Sequence, residues 1–342
     1  MLEDLAETAD QPFFNGISCK SFLVTGANGF IARQIVFSLL YLNDTRHNGN
    51  HIFLLVRKRE NTKRIYGVLA EREDVTIIEQ DVCTPIPDSF DFDYIIHAAS
   101  GAEAKYFDSD PIGVFNSNVI GTENIISYMN DHKCESAVYI SSFTVYGKIE
   151  SSVNTISEDY CGAASWNGNR DCYPYGKRSA EFLCMAASRQ YNSPIKIVRP
   201  GFVYGASGRN DTRVYAEIIR NVADNTPITL QSAGHIYRSM IYVSDLVRGI
   251  FSVLFKGKNG EAYNIANEFA SIRQFAEAAV EAADSPKVNL CFINPDDEAT
   301  EPPKCLCGAM NISKISLECG WSPLVAIKDG IARSAKITAA EI

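Results

Sequence analysis

Long uncharged apolar runs are missing from this chain of 342 residues. A helix needs roughly 20 such residues to cross a bilayer, so no helical membrane span is expected. An excess of positive charge is missing too: 32 Lys and Arg stand against 41 Asp and Glu, a formal net charge of −9. That balance argues against a nucleic-acid surface, and it leaves room for a local basic pocket that takes a phosphorylated ligand. Paired cysteine spacing is a third absence. The ten cysteines are scattered singly, several inside apolar segments, as with Cys134, Cys184 and Cys319. This is the pattern of reduced thiols rather than of a disulfide framework. Cys305 and Cys307 lie close together but have no second pair and no histidine cluster beside them, so no metal site is expected. The N-terminal segment is acidic (Glu3, Asp4, Glu7) and has neither a cationic stretch nor an apolar core, unlike a secretory signal. No internal repeat or low-complexity tract is visible. The expected setting is the cytoplasm.

What is present is an alternation. The runs SFLVTG (21–26), HIFLLVR (51–57), VTIIEQD (75–81), DYIIHAAS (93–100), SAVYISS (136–142) and IKIVRP (195–200) read as strands. Helical spacing fills the gaps. GFIARQIVFSLLYL (29–42) sets Ile31, Ile35, Leu39 and Leu42 on one face, and 118–129 and 173–191 read as further helices. Apolar strands alternating with helices mean a parallel sheet covered on both faces. The expected fold is α/β: a doubly wound parallel sheet over 18–200, with a smaller α/β lobe over 201–342. After Pro200 turns and short strands mix with helices near 213–223, 244–256, 271–283 and 311–323, the last stopped by Gly320 and Pro323. A segment near 236–262 is expected to return to the sheet, and residues 1–17 are either a polar leader or a surface clasp.

TGANGFIA (25–32) joins the first strand to its helix. Gly26 and Gly29, with Ala32 third, allow a tight turn whose backbone N–H groups approach a pyrophosphate at the helix N-terminus. The spacing is GxxGxxA rather than GxGxxG, and the flanking strand and amphipathic helix support it. Asn28, Phe30 and Ile31 belong to the same turn. The expected cofactor is a dinucleotide, NAD or NADP, on a Rossmann-type sheet. An acid at the tip of the second strand would hold a ribose 2′-hydroxyl, whereas arginine suits a 2′-phosphate. Here the tip reads Val56-Arg57-Lys58-Arg59, so Arg57 favours NADP; a solvated basic loop is the alternative, and NAD stays open. Asp81 and Val82 end the third strand, where the adenine would lie. Small Ala98, Ala99 and Ser100 end the fourth, where the cofactor passes close to backbone.

Ser142 ends the fifth strand, and Tyr173 and Lys177 lie four apart on one helix face. A tyrosine beside an ammonium and a nicotinamide cation has a lowered pKa and can exchange a proton with a sugar hydroxyl. A serine can hydrogen-bond the same oxygen. The pattern YxxxK alone is common by chance; its position one loop after the serine-bearing strand gives it weight. With HAAS (97–100), NVIGT (118–122), YISSFTVYG (139–147), YPYGK (173–177), RPGFVYG (199–205) and RSMIYVSDLV (238–247) in this order, the chain resembles the extended short-chain dehydrogenases/reductases of the NAD-dependent epimerase/dehydratase family. The resemblance runs from about 18 to 335. It implies that Ser142, Tyr173 and Lys177 form the catalytic trio and that Asn118, Pro200 and Val203 join the cofactor site. It further implies a nucleotide sugar bound by the lobe after Pro200, with Arg238 on the diphosphate, and a homodimer through two helices. The apolar faces near 111–129 and 173–191 fit that dimer, although burial under the sheet's own neighbours explains them equally well.

The stretch SEDY…GNRDCYPYGKRSAE (157–181) is most similar to UDP-glucuronate decarboxylases. That group places a nucleotide-contacting arginine at Arg213, with Arg209 as a nearby candidate; surface ion pairing is the other reading of both. One departure matters. Where 4,6-dehydratases carry Asp-Glu and the decarboxylases a glutamate, this chain has Phe143 and Thr144 on the substrate side. Neither can act as a carboxylic acid or base. Water elimination by the usual route is therefore unexpected. Decarboxylation is in less doubt, because losing carbon dioxide from a 4-keto acid needs mainly the ketone. SSFTVYG is instead similar to the sugar 4-epimerases, which need only serine, tyrosine and lysine. Glu103 and Lys105, after the fourth strand, could supply an acid or base or simply be solvated. The expected activity is a nucleotide-sugar epimerase or ketoreductase. A UDP-glucuronate decarboxylase-like enzyme or a sugar dehydratase is the alternative. A non-catalytic dinucleotide-sensing regulator is the alternative of another class, since fold alone does not fix function.

Overall fold

The computed structural model describes residues 1–150, 152–164, 168–294 and 308–340. Cys305 and Cys307 lie outside the described residues, and the eight described cysteines are free thiols. Helix α1 (Leu2–Ala9) and a 3-10 turn at Pro12–Phe14 come first. Strands and helices then alternate: β1 (Ser21–Thr25), α2 (Phe30–Arg46), β2 (His51–Val56), α3 (Arg59–Tyr66), β3 (Val75–Glu79), β4 (Tyr94–His97), α4 (Ala104–Ser109), α5 (Pro111–Asp131), β5 (Ser136–Ile140), β6 (Thr155–Ile156), α6 (Cys172–Tyr191) and β7 (Ile195–Pro200). The remainder holds β8 (Phe202–Tyr204), α7 (Val214–Ala223), β9 (Ile228–Leu230), β10 (Tyr237–Tyr242), α8 (Val243–Lys256), β11 (Ala262–Ile265), β12 (Phe269–Ser271), α9 (Ile272–Ala283), β13 (Leu290–Phe292), β14 (Ala309–Met310), α10 (Ser313–Cys319) and α11 (Ile327–Ala339).

Seven strands pair in the order β11-β7-β5-β4-β1-β2-β3, every pair parallel. Alternate side chains feed the two faces. Phe22 and Val24 of β1 join the core with α2 and α8, while Leu23 joins Ile125 of α5 and Ala180 and Cys184 of α6 on the other side. A sheet covered on both faces explains why its strands are apolar throughout. Strand order reverses between β1 and β4, the place where a doubly wound sheet opens a crevice beyond its carboxyl ends. This is the Rossmann-type architecture expected from the sequence.

Of the segment expected back near 236–262, α8 packs on the large sheet and β11, just beyond it, pairs with β7. Strand β10 does not return; it pairs in a separate sheet, parallel to β8 and antiparallel to β12. Residues 1–17 form a clasp. Buried Asp4 accepts hydrogen bonds from the Tyr242 hydroxyl (3.0 Å) and Arg333 (2.9 Å), Glu7 also pairs with Arg333, and Phe14 lies 4.9 Å from the Phe251 ring. Among the described residues no helix is long and apolar enough to cross a membrane.

Candidate active site

The carboxyl ends of β1, β4 and β5 bring three sequence motifs to one edge of the sheet. Directly after β1, Gly26 has φ +63° and donates its N–H to the Leu55 carbonyl at 2.9 Å. A Cβ at Gly26 would stand 2.6 Å from Ala99 Cα, so the turn packs on the Ala98–Ala99 backbone and only glycine fits there. Gly29 caps α2 and donates to the Gly26 carbonyl at 2.8 Å. Asn28 Oδ1 and Ser100 Oγ are buried without a hydrogen-bond partner. Unpaired buried polar atoms demand an explanation. Here a glycine turn and a helix N-terminus fit phosphates, the Ser100 hydroxyl could donate to one, and the Asn28 amide oxygen could accept from a ribose hydroxyl, as a dinucleotide would require.

The other expected cofactor residues are distributed around this turn. Arg57 is exposed just past β2, and Asp81, exposed past β3, accepts from the Cys83 N–H at 2.9 Å. Val82 is buried and Ile31 packs into the sheet core. Pro200 is buried at the end of β7, and Val203 pairs with Ile241. Asn118 is buried deeper, its amide donating to the Val114 carbonyl (2.8 Å) and accepting from the Tyr139 hydroxyl (3.1 Å). Its side chain thus ties α5 to Tyr139 of β5. Thr25 Oγ1 accepts the N–H groups of Ala98 and Ala99, both at 3.1 Å. Its own proton therefore goes to His97 Nδ1, 2.7 Å away. Burial, reinforced by the charge of Lys177, holds His97 down at about 3, so it is a neutral imidazole with its proton on Nε2.

Ser142, Tyr173 and Lys177 do come together. Ser142 is 8% exposed and caps the 3-10 turn Phe143–Tyr146; its Oγ accepts from the Thr144 N–H (3.2 Å) and hydroxyl (3.1 Å). Ser142 also lies close enough to Tyr173 to pull its phenol pKa down. Lys177 is buried, donates to the Ile140 carbonyl at 2.6 Å, and sits 4.7 Å from the Tyr139 ring centre and 5.6 Å from that of Tyr173. The lowered tyrosine pKa expected from the sequence does not come from the protein's own groups. Burial pushes the Tyr173 phenol up to about 12, with Ser142 pulling the other way. Burial also brings Lys177 down to about 7, against the pull of Glu181. Desolvation disfavours each charged form, so the pair lacks the full cation that would favour a phenolate.

Two neighbours of the trio escaped sequence reasoning. Phe107 of α4 covers Tyr173, ring centres 5.4 Å apart; no periodic signal marks a side chain on so short a helix. Glu181, four residues beyond Lys177, forms a buried pair with Arg199 (2.7 Å), which also reaches the Tyr146 hydroxyl (3.0 Å). The spacing Tyr173, Lys177, Glu181 along one helix face was the available signal.

Among the residues expected to meet a substrate, Phe143 is tilted against Phe202, ring centres 5.1 Å apart, and Arg238 lies over Phe202 at 5.2 Å. With Ile156, Ser239 and Met310 they enclose a cavity of about 10 Å³. Arg238 donates to the Tyr237 carbonyl (2.9 Å) and has no carboxylate partner among the described residues. The other two arginines differ. Arg209 is held by Asp224 (2.9 Å) and the Thr338 carbonyl (3.4 Å). Arg213 is held by Asp211 (2.9 Å) and lies 5.9 Å from the Phe30 ring. Glu103, the residue that caps α4, and Lys105 in its first turn pair with each other in solvent, each 65% exposed.

Comparison with known proteins agrees with this fold. The chain is 27% identical over 325 residues to UDP-glucuronic acid decarboxylase 1 of Danio rerio, covering 94% of this chain and 73% of that protein. It is 29% identical over 319 residues to UDP-glucuronic acid decarboxylase 6 of Arabidopsis thaliana, covering 90% and 86%. In fold it is similar to the UDP-glucuronic acid 4-epimerase of Bacillus cereus, solved with UDP-glucuronic acid and NAD (TM-score 0.74, 22% identity, 94% and 100% covered). It is also similar to a dTDP-glucose 4,6-dehydratase of Streptomyces venezuelae, solved with NAD and TYD (TM-score 0.73, 21% identity, 92% and 96% covered). The model of the NAD dependent epimerase/dehydratase family matches residues 22–266, and the chain belongs to that family.

Proposed function

We propose that the protein is an NAD(P)-dependent nucleotide-sugar epimerase or ketoreductase acting through a keto-sugar. The observation that carries this reading is the grouping of Ser142, Tyr173 and Lys177 with Phe143 and Thr144, and a cavity beside Phe143 that no carboxylate lines among the described residues. The turn Gly26–Gly29 and the Ala98–Ser100 segment would hold the dinucleotide. Arg57 supports a 2′-phosphate and hence NADP, while Asp81 would meet the adenosine end. When bound in its oxidised form, the dinucleotide supplies a hydride acceptor and a positive charge that favours the tyrosinate. Ser142 holds the sugar oxygen by a hydrogen bond. Tyr173 removes the hydroxyl proton as a hydride leaves the carbinol carbon, which becomes a ketone. Lys177, beneath the tyrosine ring, stabilises the phenolate. Return of the hydride to the opposite face inverts the centre; the reverse half alone, with Tyr173 giving up its proton, reduces a keto-sugar. Arg238, which has no carboxylate partner among the described residues, would take the diphosphate. Arg213 and Arg209 would reach it only by leaving their aspartates.

A second reading is favoured by relatives that are UDP-glucuronic acid decarboxylases along nearly the whole chain. In it the same oxidation is followed by carbon dioxide loss. A panel of nucleotide sugars including UDP-glucuronate, with and without NADPH, separates the readings by product mass. Unchanged mass with a new chromatographic peak supports an epimerase, and an NADPH-dependent gain of two hydrogens a ketoreductase. Loss of carbon dioxide overturns the first reading in favour of the second. We also infer a homodimer through α5 and α6, supported by exposed Ile112, Ile120 and Phe182 on these helices. A monomeric mass in light scattering would refute it.

A further inference from the structure

The glycine turn has a partner that belongs to neither strand end. Tyr66, the last residue of α3, donates its hydroxyl to the Ala27 carbonyl at 2.6 Å. Both residues are buried. Burial raises the phenol far above its usual range, nearby Arg33 opposing it, so the hydroxyl stays a donor. Phe37 of α2 braces the ring at 5.4 Å. In a trans peptide the carbonyl and the following N–H point to opposite sides. Drawing the Ala27 carbonyl toward Tyr66 therefore turns the Asn28 N–H away from α3. Among the described residues nothing accepts that N–H, and the side-chain oxygen of the same Asn28 is also buried and unpaired. One buried hydrogen bond thus decides which way the Ala27–Asn28 peptide faces.

We propose that Tyr66 is a positioning residue for the dinucleotide: its hydroxyl fixes the Ala27–Asn28 peptide so that the Asn28 N–H meets the pyrophosphate. This rests on reading the glycine turn as the dinucleotide site. The same contact ties the turn to α3, which begins two residues after Arg57. One helix thus holds the phosphate end of the site in register with its ribose end. Nothing in the local sequence pattern announces the pairing, because Tyr66 and Ala27 are 39 residues apart.

The test is Tyr66→Phe, which removes one oxygen and keeps the ring against Phe37. Protein stripped of co-purified nucleotide is titrated calorimetrically with NAD+, NADP+ and adenosine, and its melting curve confirms the fold. Losing one buried hydrogen bond should weaken dinucleotide binding about ten-fold. Adenosine, which has no phosphate, should bind within about two-fold of wild type, because the lost bond acts on the pyrophosphate. Unchanged dinucleotide affinity, or an equal loss for adenosine, overturns the positioning role. A folded wild-type protein that binds neither dinucleotide instead overturns the reading of the glycine turn itself.

Discussion

Replacing Lys177 by methionine should change how stability depends on pH. Burial holds the amine at about 7 in the folded protein, against 10.5 when exposed. Between those values the unfolded chain binds a proton that the folded chain refuses, so folding grows more favourable as pH rises. Below the lower value the amine is charged in both states and the penalty is complete. Above the upper value it is neutral in both and the penalty is gone. The slope in the window is about 1.4 kcal/mol per pH unit, and rounding near the lower pKa leaves a gain of about 2 kcal/mol from pH 7 to pH 9. Lys177→Met lacks this gain. It also leaves the Ile140 carbonyl, 2.6 Å from the amine, without its donor. That loss is a constant offset of about 1–3 kcal/mol and does not tilt the curve. Urea unfolding of both proteins at pH 7, 8 and 9 measures the difference, in which other titrating groups cancel. Wild type should gain on the variant by about 2 kcal/mol across this range. Parallel curves would show that the folded amine titrates normally, and the account of Lys177 would fail.

Other expectations can be checked separately. Tyr173→Phe should cut turnover by at least about 100-fold with dinucleotide affinity intact; full turnover would remove the phenol from the chemistry. Arg238→Met should weaken binding of UDP about ten-fold, whereas Arg209→Met, already occupied by Asp224, should alter it by less than about two-fold. Equal losses measured by titration would contradict that assignment. Phe107→Ala admits water to the Tyr173 ring. Since burial raises this phenol, the tyrosine limb of the pH–rate profile should move down, by up to about one unit; an unmoved limb would mean that α4 does not keep the ring dry. Arg333→Ala leaves Asp4 buried without its cation and should lower stability by about 3 kcal/mol in the same urea assay, and no loss would make the clasp ornamental.

The large sheet was legible because a strand buried on both faces must be apolar throughout. SFLVTG and IKIVRP announce themselves without partners. The glycine turn was legible because the Ala99 backbone leaves no room for a Cβ at Gly26. The trio was legible because Tyr173 and Lys177 are one helical turn apart and Ser142 closes a strand. Illegible features depend on partners distant in the chain. Asp4 and Arg333 are 329 residues apart, and neither charge predicts the other. The arginines show the same limit. Arg209, Arg213 and Arg238 look alike as residues, and only the fold reveals that the first two already have carboxylates. Strand β10 looked fit for the large sheet because apolar alternation encodes burial and not the neighbour. The expected tyrosine pKa went astray for a related reason. Proximity to lysine was readable, but the burial that weakens both charged forms was not.

Phe143 discriminates among the family's reactions less evenly than its position suggests. Epimerisation, decarboxylation and dehydration all begin by oxidising a carbinol, which needs a base, a hydrogen-bond donor to the oxygen and a hydride acceptor. On the proposed reading, Tyr173 and Ser142 would supply the first two whichever reaction follows. Dehydration then needs a base to take a proton from carbon and an acid to protonate a departing hydroxyl. A phenyl ring and a threonine hydroxyl can do neither at neutral pH, and Glu103 is exposed and paired with Lys105. Decarboxylation asks for less, since the new ketone accepts the electrons released with carbon dioxide. Epimerisation asks for no further acid or base, only that the ketone be presented by its other face. The side chains at 143 and 144 therefore separate dehydration from the other two. Choosing between those two falls to whatever would meet the sugar's C5 substituent: a cation there, such as the Arg238 guanidinium 5.2 Å from the Phe202 ring, would favour holding a uronate, whereas the apolar rings of Phe143 and Phe202 alone would favour a substrate that carries no carboxylate.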